Sequence, residues 1–448
     1  MELSKSQKRS IAKRKAIAGK TIVAIDPASK KHQVAILSPE ALPLMRSFKI
    51  FNTGEGFKRL LRKLDGIKRE FPGIEYLFAI EPSAHYWLPL LFFFKKRGFE
   101  FVLVPGLFVK RAREIEDQTT RQDDPKDAHL IGELAVHGKY CDEHQPQEIY
   151  AELRNFSSDW LDLSQEKAAL RMKIRMLLDK YFPEFLPLFS DFLGATGRFL
   201  LSHYPFPDDV RKANTRLLTE QVYKISRCRI DEERVIDLKQ AAASSIGIDE
   251  GLLTARFRLR HLLEKYELYE QHQQEIISEI DAYLNCIEYT PYLLKLPGVG
   301  LISVMLLLGQ TGDLRKFDTV ADLLSYAGLD LIYADSGNRT GQRRISKRGR
   351  KQLRLVLYQM TLAFVQNHNI ARRKYLKQRL AGKKPKQAVV SSISFFVRVM
   401  FSVVKQERYY QELDASDPMV YEIKQLEDQL DQKSKKQKKR PNKLKQAA

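Results

Sequence analysis

Two apolar runs near the start of the chain, Thr21-Ile-Val-Ala-Ile-Asp26 and Tyr76-Leu-Phe-Ala-Ile-Glu81, each end in a carboxylate followed at once by proline. A short unbroken apolar stretch rich in β-branched and aromatic side chains reads as a strand covered on both faces. Proline cannot donate to a sheet ladder, so each strand must stop where its acid stands. If the two strands are neighbours, both carboxylates come to one end of one sheet. Taken singly, either acid is equally well explained as a turn residue whose oxygen accepts from a nearby backbone N–H.

The surrounding segments supply the rest of that sheet. Ile22–Ile25 and Gln33–Leu37 flank the turn Pro27–Lys31 and predict a hairpin, with Ser47–Phe51 as a third strand. A helix follows from Gly54 to about Arg69, then the Tyr76–Ile80 strand, a helix over Ala84–Lys96, and a strand over Phe99–Val104 that ends at Pro105-Gly106. A further helix begins near Asp124-Pro125. Three meandering strands followed by helix-separated ones predict a mixed sheet with helices packed on it, the element order of a ribonuclease-H-like domain.

Asp124 and Asp127 sit three apart at that last helix start. Asp at the cap, Pro125 next and Asp127 in the first turn is ordinary helix-start chemistry, and on local grounds capping wins. The same spacing lets both acids share one ion. Carboxylates crowded together repel unless a cation neutralises them, and a hard divalent cation such as Mg²⁺ or Mn²⁺ takes oxygen ligands. Two such ions can flank a phosphate.

From residue 150 the pattern changes to long helical periodicity. Leu153, Phe156, Trp160, Leu163, Leu170, Ile174, Leu177 and Tyr181 recur at spacings of three and four, interrupted at Lys167. Leu259, Leu262, Tyr266, Tyr269, Ile276, Ile280 and Tyr283 do the same, interrupted at Gln273. Each run is long enough for a coiled coil, and the pattern suits two helices of one intramolecular bundle as well as a seam between copies. The Pro- and Phe-rich stretch between Phe182 and Pro207 resists assignment. Leu296-Pro297-Gly298-Val299-Gly300 ahead of Ile302–Leu308 has the form of a helix-hairpin-helix turn. A short helix is expected around Val320–Tyr326, a further helix from about Lys347 to Asn367, and another, apolar, over 389–406.

The formal charge of +21 is concentrated in three places. Residues 1–20 carry +6, residues 336–354 carry +8 and residues 433–448 carry +8, which leaves the remainder near neutrality. Phosphate binders concentrate basic residues in this way, whereas Lys-rich tails alone are also common solubility segments. The internal patch runs Ser336-Gly337-Asn-Arg339-Thr-Gly341-Gln-Arg343-Arg344-Ile-Ser346-Lys347-Arg348-Gly349-Arg350. Read alone, Ser336 is a turn serine among glycines; a serine becomes a nucleophile only when a base or metal activates it. Arg339, Arg343, Arg344, Lys347, Arg348 and Arg350 are suited to gripping phosphates around it.

Other chemistries find little support. Cys141, Cys228 and Cys286 share no ligand spacing or disulfide pattern, and His137, Cys141 and His144 are the nearest approach to a metal set. No Walker-type loop appears. The longest apolar run noted, around Trp87–Phe94, is too short for a membrane span, and the charged N-terminus lacks the apolar core of a secretory signal. A cytoplasmic, nucleoid-associated protein is expected.

Taken together and in order, these motifs resemble the DEDD transposases of the insertion-sequence-110 family, relatives of the Piv-type DNA invertases. The resemblance rests on Ala-Ile-Asp26-Pro-Ala-Ser-Lys-Lys-His, Ala-Ile-Glu81-Pro-Ser-Ala and Asp124-Pro-Lys-Asp127-Ala in the first part. Downstream it rests on Leu-Pro297-Gly298-Val-Gly300, Tyr326-Ala-Gly328-Leu, Ser336-Gly337 and Arg344-Ile-Ser346-Lys347-Arg-Gly349. It implies a RuvC-like α/β domain, a helical coiled-coil middle and a mainly α C-terminal transposase domain. It also implies an Mg²⁺- or Mn²⁺-binding quartet of Asp26, Glu81, Asp124 and Asp127, and a catalytic serine, Ser336, with Ser346 as the fallback if the loop aligns differently. Donor and target DNA, a structured bridge RNA, and a homo-oligomer (dimer or tetramer) are the implied partners. The expected organisation is a basic arm over 1–20, the catalytic domain over 21–148, the helical segment with an insertion over 149–288, the transposase domain over 289–432 and a basic disordered tail over 433–448. The roles of residues 182–255 and of the tails are not inherited from the resemblance. A metal-dependent nuclease using water instead of serine is the alternative activity, and a non-catalytic nucleic-acid scaffold is the third reading.

Overall fold

The strand-end acids demand neighbouring parallel strands, and the computed structural model has them. It describes residues 5–116, 124–142, 148–227, 232–332 and 344–438, in two units, 1–144 and 145–448.

The first unit runs α1 (Lys5–Ala16), β1 (Thr21–Asp26), β2 (Lys31–Leu37), β3 (Phe48–Phe51), α2 (Gly54–Glu70), β4 (Tyr76–Ile80), α3 (Trp87–Lys95), β5 (Glu100–Leu103), α4 (Gly106–Glu116), α5 (Asp124–Val136) and β6 (Cys141–Asp142). The sheet order is β3-β2-β1-β4-β5-β6, with β1–β4 and β4–β5 parallel and the other pairs antiparallel; β6 is a two-residue edge. The predicted meander and helix-separated strands are therefore present as a mixed α/β sheet.

Alternation along the strands gives the sheet two different faces. Val23, Ile25, Val34, Ile36, Phe78 and Ile80 build one core with Phe57, Leu60 and Leu64 of α2 and Leu90, Leu91 and Phe94 of α3. Thr53 caps α2 by accepting from the Gly56 N–H at 3.2 Å. The other face has a row of small residues across its middle. Ala24 pairs with Ala35 on one side and Ala79 on the other, and α5 packs across this row through Ala128, Ile131 and Gly132. A Cβ on Gly132 would run into Leu37 and Ala24. The Ala row and Gly132 thus let α5 lie close to the sheet.

The second unit begins with the long helix α6 (Ile149–Tyr181). Five short helices follow: α7 (Phe185–Leu188), α8 (Ala195–His203), α9 (Pro207–Lys212), α10 (Thr215–Ile225) and α11 (Glu232–Ala243). A second long helix, α12 (Leu252–Asn285), then returns along α6. Leu153 of α6 shares a core with Ile280 and Leu284 of α12, whereas Ile174 and Leu177 share another with Leu259 and Leu263, so the pair is antiparallel. The two interruptions in the apolar repeats face each other: Lys167 Nζ donates to Gln273 Oε1 at 3.0 Å, and Gln273 Nε2 donates to Ser164 Oγ at 2.9 Å. Polar residues inside an apolar seam fix its register when they find each other. Of the two arrangements open to the sequence, the apolar stripes are therefore used within one chain. The stretch that resisted assignment is a helical insertion with its own core, in which Phe182, Phe185, Phe206, Val210, Leu218, Val222 and Leu238 are buried.

The chain continues through α13 (Thr290–Leu294), α14 (Leu301–Thr311), α15 (Val320–Tyr326), the strand pair β7 (Leu331–Ile332) and β8 (Arg344–Ile345), α16 (Lys351–Phe364), α17 (Ile370–Leu380), α18 (Pro385–Lys405) and α19 (Pro418–Lys438). Gly298, at φ +75°, makes the turn before α14.

Several expectations need correction. The helix expected from Ala84 starts at Trp87, because Ala84 occupies the left-handed region at φ +47° in the turn after Glu81-Pro82. The helix expected from Lys347 starts at Lys351 for the same reason, Lys347 standing at φ +54°. Helices α4, α17 and α19 had no expectation, being strongly charged with short apolar stripes. Because α19 extends to Lys438, the first six residues of the expected disordered tail are helical; residues 439–448 lie outside the described residues. Lys5–Ala16 of the basic arm is helical too. Contrary to expectation, one helix, α18, is long and apolar enough to cross a membrane. Its Ile393, Phe396, Val397 and Met400 are buried with Val356 and Met360 of α16, and Arg398 and four serines interrupt the run that the sequence shows.

The facing polar pair generates a test. Gln273→Leu removes the nearest hydrogen-bond partner of the partly buried Lys167 ammonium, leaving it Glu270 at 3.5 Å, and should cost about 1 kcal/mol. Lys167→Leu combined with Gln273→Leu should recover most of that loss in a double-mutant cycle read by thermal unfolding. Additivity of the two changes would show that they do not meet.

Candidate active site

Register carries the two strand-end acids into line. Ile25 lies opposite Ile80, and the Glu81 N–H donates to the Ile25 carbonyl at 3.5 Å, so Asp26 and Glu81 follow in step at the C-terminal ends of β1 and β4. Both alternate with Ile25 and Ile80 and so take the opposite face, the one covered by α5. Asp26 is paired on its other side with Gln33 of β2. A row Gln33–Asp26–Glu81 therefore crosses three strands on the α5 side.

α5 runs back along the sheet, which sets its first turn beside this row. Asp127 is buried there, at 7% exposure. Its carboxylate is gripped by Arg113 of α4 in a two-pronged contact, Nε to Oδ1 at 2.9 Å and Nη2 to Oδ2 at 2.5 Å. Such forked pairs are the strongest form of charge-assisted hydrogen bond. Burial pushes the Glu81 carboxyl above the usual carboxylate range, the negative charge of Asp127 pushes it further, and Arg113 partly opposes both. A Cβ on Gly106, the first residue of α4, would fall on the Glu81 carboxylate, so the glycine is what lets that side chain lie against the helix.

Three of the four predicted acids are thus brought to one face of one sheet. The side chain of Asp124 lies outside the described residues. Among the described residues no three His, Cys, Asp or Glu side chains are close enough to hold a metal as a set, and Arg113 is the cation that offsets Asp127. The donor chemistry nevertheless suits a hard divalent cation. The row offers carboxylate oxygens only partly withdrawn from water, and repulsion from Asp127 acts on Glu81 in a way that a shared cation relieves.

Ser336, Arg339 and Arg343 lie outside the described residues, but the base of their segment is well defined. β7 and β8 pair at Leu331–Ile345 and Ile332–Arg344. Below them the Ser346 N–H donates to the Asp330 carbonyl at 2.7 Å and the Lys347 N–H to the Gly328 carbonyl at 2.9 Å. Gly328 and Gly349 meet backbone to backbone, with no space for a Cβ on either. Arg354 Nη1 ties the two ends together by donating to the Ala327 and Gly349 carbonyls at 2.8 and 3.0 Å. The Ser346 hydroxyl accepts from the Arg348 N–H at 3.3 Å, the ordinary work of a turn serine. Arg344, Lys347 and Arg348 are exposed, and Arg350 lies over the Tyr326 ring at 5.0 Å.

Sequence reasoning missed Arg113, Gly106 and Gln33. Arg113 and Gly106 belong to the unexpected α4, whose segment shows no strong apolar period. Gln33 had a usable signal, a polar side chain inside the otherwise apolar β2 directly across the hairpin from Asp26.

Residues 23–183 match the DEDD transposases of the IS110 type, and residues 290–377 match the transposase IS116/IS110/IS902 family. The insertion element IS110 uncharacterized 43.6 kDa protein of Streptomyces coelicolor is 26% identical over 357 residues, covering 79% of this chain and 87% of its own. The insertion element IS116 uncharacterized 44.8 kDa protein of Streptomyces clavuligerus is 24% identical, covering 75% and 84%. A pilin gene-inverting protein of Moraxella lacunata is 27% identical over 148 residues, covering 31% of this chain and 46% of its own. An acid-edged α/β sheet in a chain with these matches defines a transposase, an enzyme that recombines DNA. The two family matches together span more than half of the sequence, and the chain belongs to the IS110 family of transposases. Enzymes of the DEDD type use a divalent metal in general.

A carboxyl held above its ordinary range weakens the folded state wherever it is ionised. Glu81→Gln should therefore raise the metal-free melting temperature by a few degrees at pH 7. The gain should shrink as pH falls below the ordinary glutamate range, where Glu81 is neutral both folded and unfolded. A calorimetric pH series checks both arms, and a gain that persists in acid would mean that charge is not its source.

Proposed function

We propose that the protein is an RNA-guided DNA recombinase that cuts and rejoins strands through a serine nucleophile, and that its first unit is a RuvC-like catalytic domain. The observation that carries the reading is the in-register pair Asp26 and Glu81 with buried Asp127 on the same face. Asp124 completes the quartet by motif. The quartet is assigned to Mg²⁺ or Mn²⁺, which when bound supplies electrostatic stabilisation of the reacting phosphate and lowers the cost of ionising a hydroxyl beside it.

Asp26, Glu81 and Asp127, with Asp124, would hold the ion, and its charge would offset the repulsion that Asp127 exerts on Glu81, the part that Arg113 plays in the structure. Ser336 Oγ attacks a DNA phosphorus atom and loses its proton, forming a phosphoserine ester while the phosphorus–O3′ bond breaks and the 3′-oxygen leaves as a hydroxyl. A 3′-hydroxyl of the partner duplex then attacks the phosphoserine and releases the serine. One phosphodiester is exchanged for another, so no high-energy cofactor is required. Arg339, Arg343, Arg344, Lys347, Arg348 and Arg350 hold the neighbouring phosphates; the exposure of Arg344, Lys347 and Arg348 around the pinned base of the segment supports that role. A structured bridge RNA selects donor and target DNA by base pairing, and the working assembly is a homo-oligomer. The concentration of +22 in three stretches suits a chain with several nucleic-acid partners.

The test is incubation of the protein and its co-purified RNA with a donor DNA nicked next to the scissile bond. A protein–DNA adduct that survives denaturation is expected. Ser336→Ala should abolish it, and Asp26→Asn should lower its yield by about 10³-fold or more. Cleavage to free ends that continues in Ser336→Ala would instead mark a metal-dependent nuclease that uses water. Sequencing of the co-purified RNA should give one discrete species with loops complementary to two DNA sites.

A further inference from the structure

Gln33 is unexplained by packing. It is 4% exposed, it sits on the α5 face of the sheet, and its Oε1 has no hydrogen-bond partner among the described residues. An unpaired buried amide oxygen destabilises the fold, a cost that an apolar residue at the same place on β2 would avoid. Its neighbours say what it is for. Gln33 is the direct cross-strand partner of Asp26, and such pairs hold their Cβ atoms about 5 Å apart. Beyond Asp26 in the same row comes Glu81. The hairpin is held from its other face by His32, which is fully buried, stacks on Phe57, and accepts the Ala28 N–H on Nδ1 at 3.2 Å. Gln33 is therefore kept beside Asp26 by a rigid turn.

We infer that Gln33 belongs to the ion-binding set, its Oε1 acting as a neutral oxygen donor toward the divalent cation beside Asp26, directly or through one of that ion's waters. This rests on the reading of the acidic row as a metal site. An uncharged donor adds a ligand without adding to the repulsion that already burdens Glu81. It also explains why a polar side chain with no protein partner is tolerated inside a strand whose other inward residues, Ala35 and Leu37, are apolar.

The experiment is Mn²⁺ titration of the full-length protein, followed by electron paramagnetic resonance of the free ion. Gln33→Leu should weaken binding about tenfold or more. Its metal-free melting temperature should hold or rise, because an unpaired acceptor has been removed. Gln33→Glu should bind at least as tightly as the wild type. If Gln33→Leu lowers the metal-free melting temperature as well as the affinity, Gln33→Glu decides: retained affinity supports the assignment and lost affinity overturns it. If Asp26→Asn loses Mn²⁺ while Gln33→Leu keeps wild-type affinity, Gln33 is no part of the set although the ion site stands. If Asp26→Asn also keeps wild-type affinity, the row holds no ion, and the proposed function fails together with this inference.

Discussion

The close approach of α5 to the sheet is the contact on which the candidate site depends. Ala24, Ala35 and Ala79 form a row of methyl groups across β2, β1 and β4, and Gly132 lays the helix directly upon them. Larger side chains in that row would lift the helix, since cores resist extra volume at a cost of about 1–3 kcal/mol per overpacked position. The first turn of α5 would rise with it and carry Asp127 away from the row of Asp26 and Glu81. The site is thus set by the size of apolar residues one turn away from its acids.

That same closeness creates an electrostatic problem. Partly buried Glu81 feels Asp127, and the fold answers with Arg113, which holds Asp127 in a forked pair. The arrangement is a cationic stand-in at a place where the proposed chemistry needs a divalent ion. Gln33 belongs to the same picture in the proposed site, where carboxylates and one uncharged oxygen would make a donor set in which charge is limited and ligand number is not.

The helical unit solves a different problem, that of holding a basic segment by its ends. Gly328 and Gly349 let two backbone strands meet, and Arg354 bridges the carbonyls on either side. Behind them α14, α16 and α18 bury a continuous apolar core. The antiparallel α6–α12 pair leads from this core to the insertion, which buries a separate core of its own. Lys167 and Gln273 interrupt both apolar stripes at the level where they meet, so the break in each repeat is a matched feature rather than a flaw.

Much of this was legible in the order of residues alone. Strand ends at Asp26-Pro27 and Glu81-Pro82, the hairpin between β1 and β2, and the two long helical repeats follow from local rules of periodicity and proline geometry, which act over a few residues. The motifs that place the chain in its family are of the same local kind. What the tertiary structure alone decided are the relations between distant segments. These include the register that sets Gln33, Asp26 and Glu81 in one row, the grip of Arg113 on Asp127, the glycine at 106 that admits Glu81, and the pairing of Lys167 with Gln273. The physical reason is common to all four. Each depends on which side chains meet across packed elements, and that is fixed by the summed burial of many apolar residues rather than by the propensity of the residues that meet.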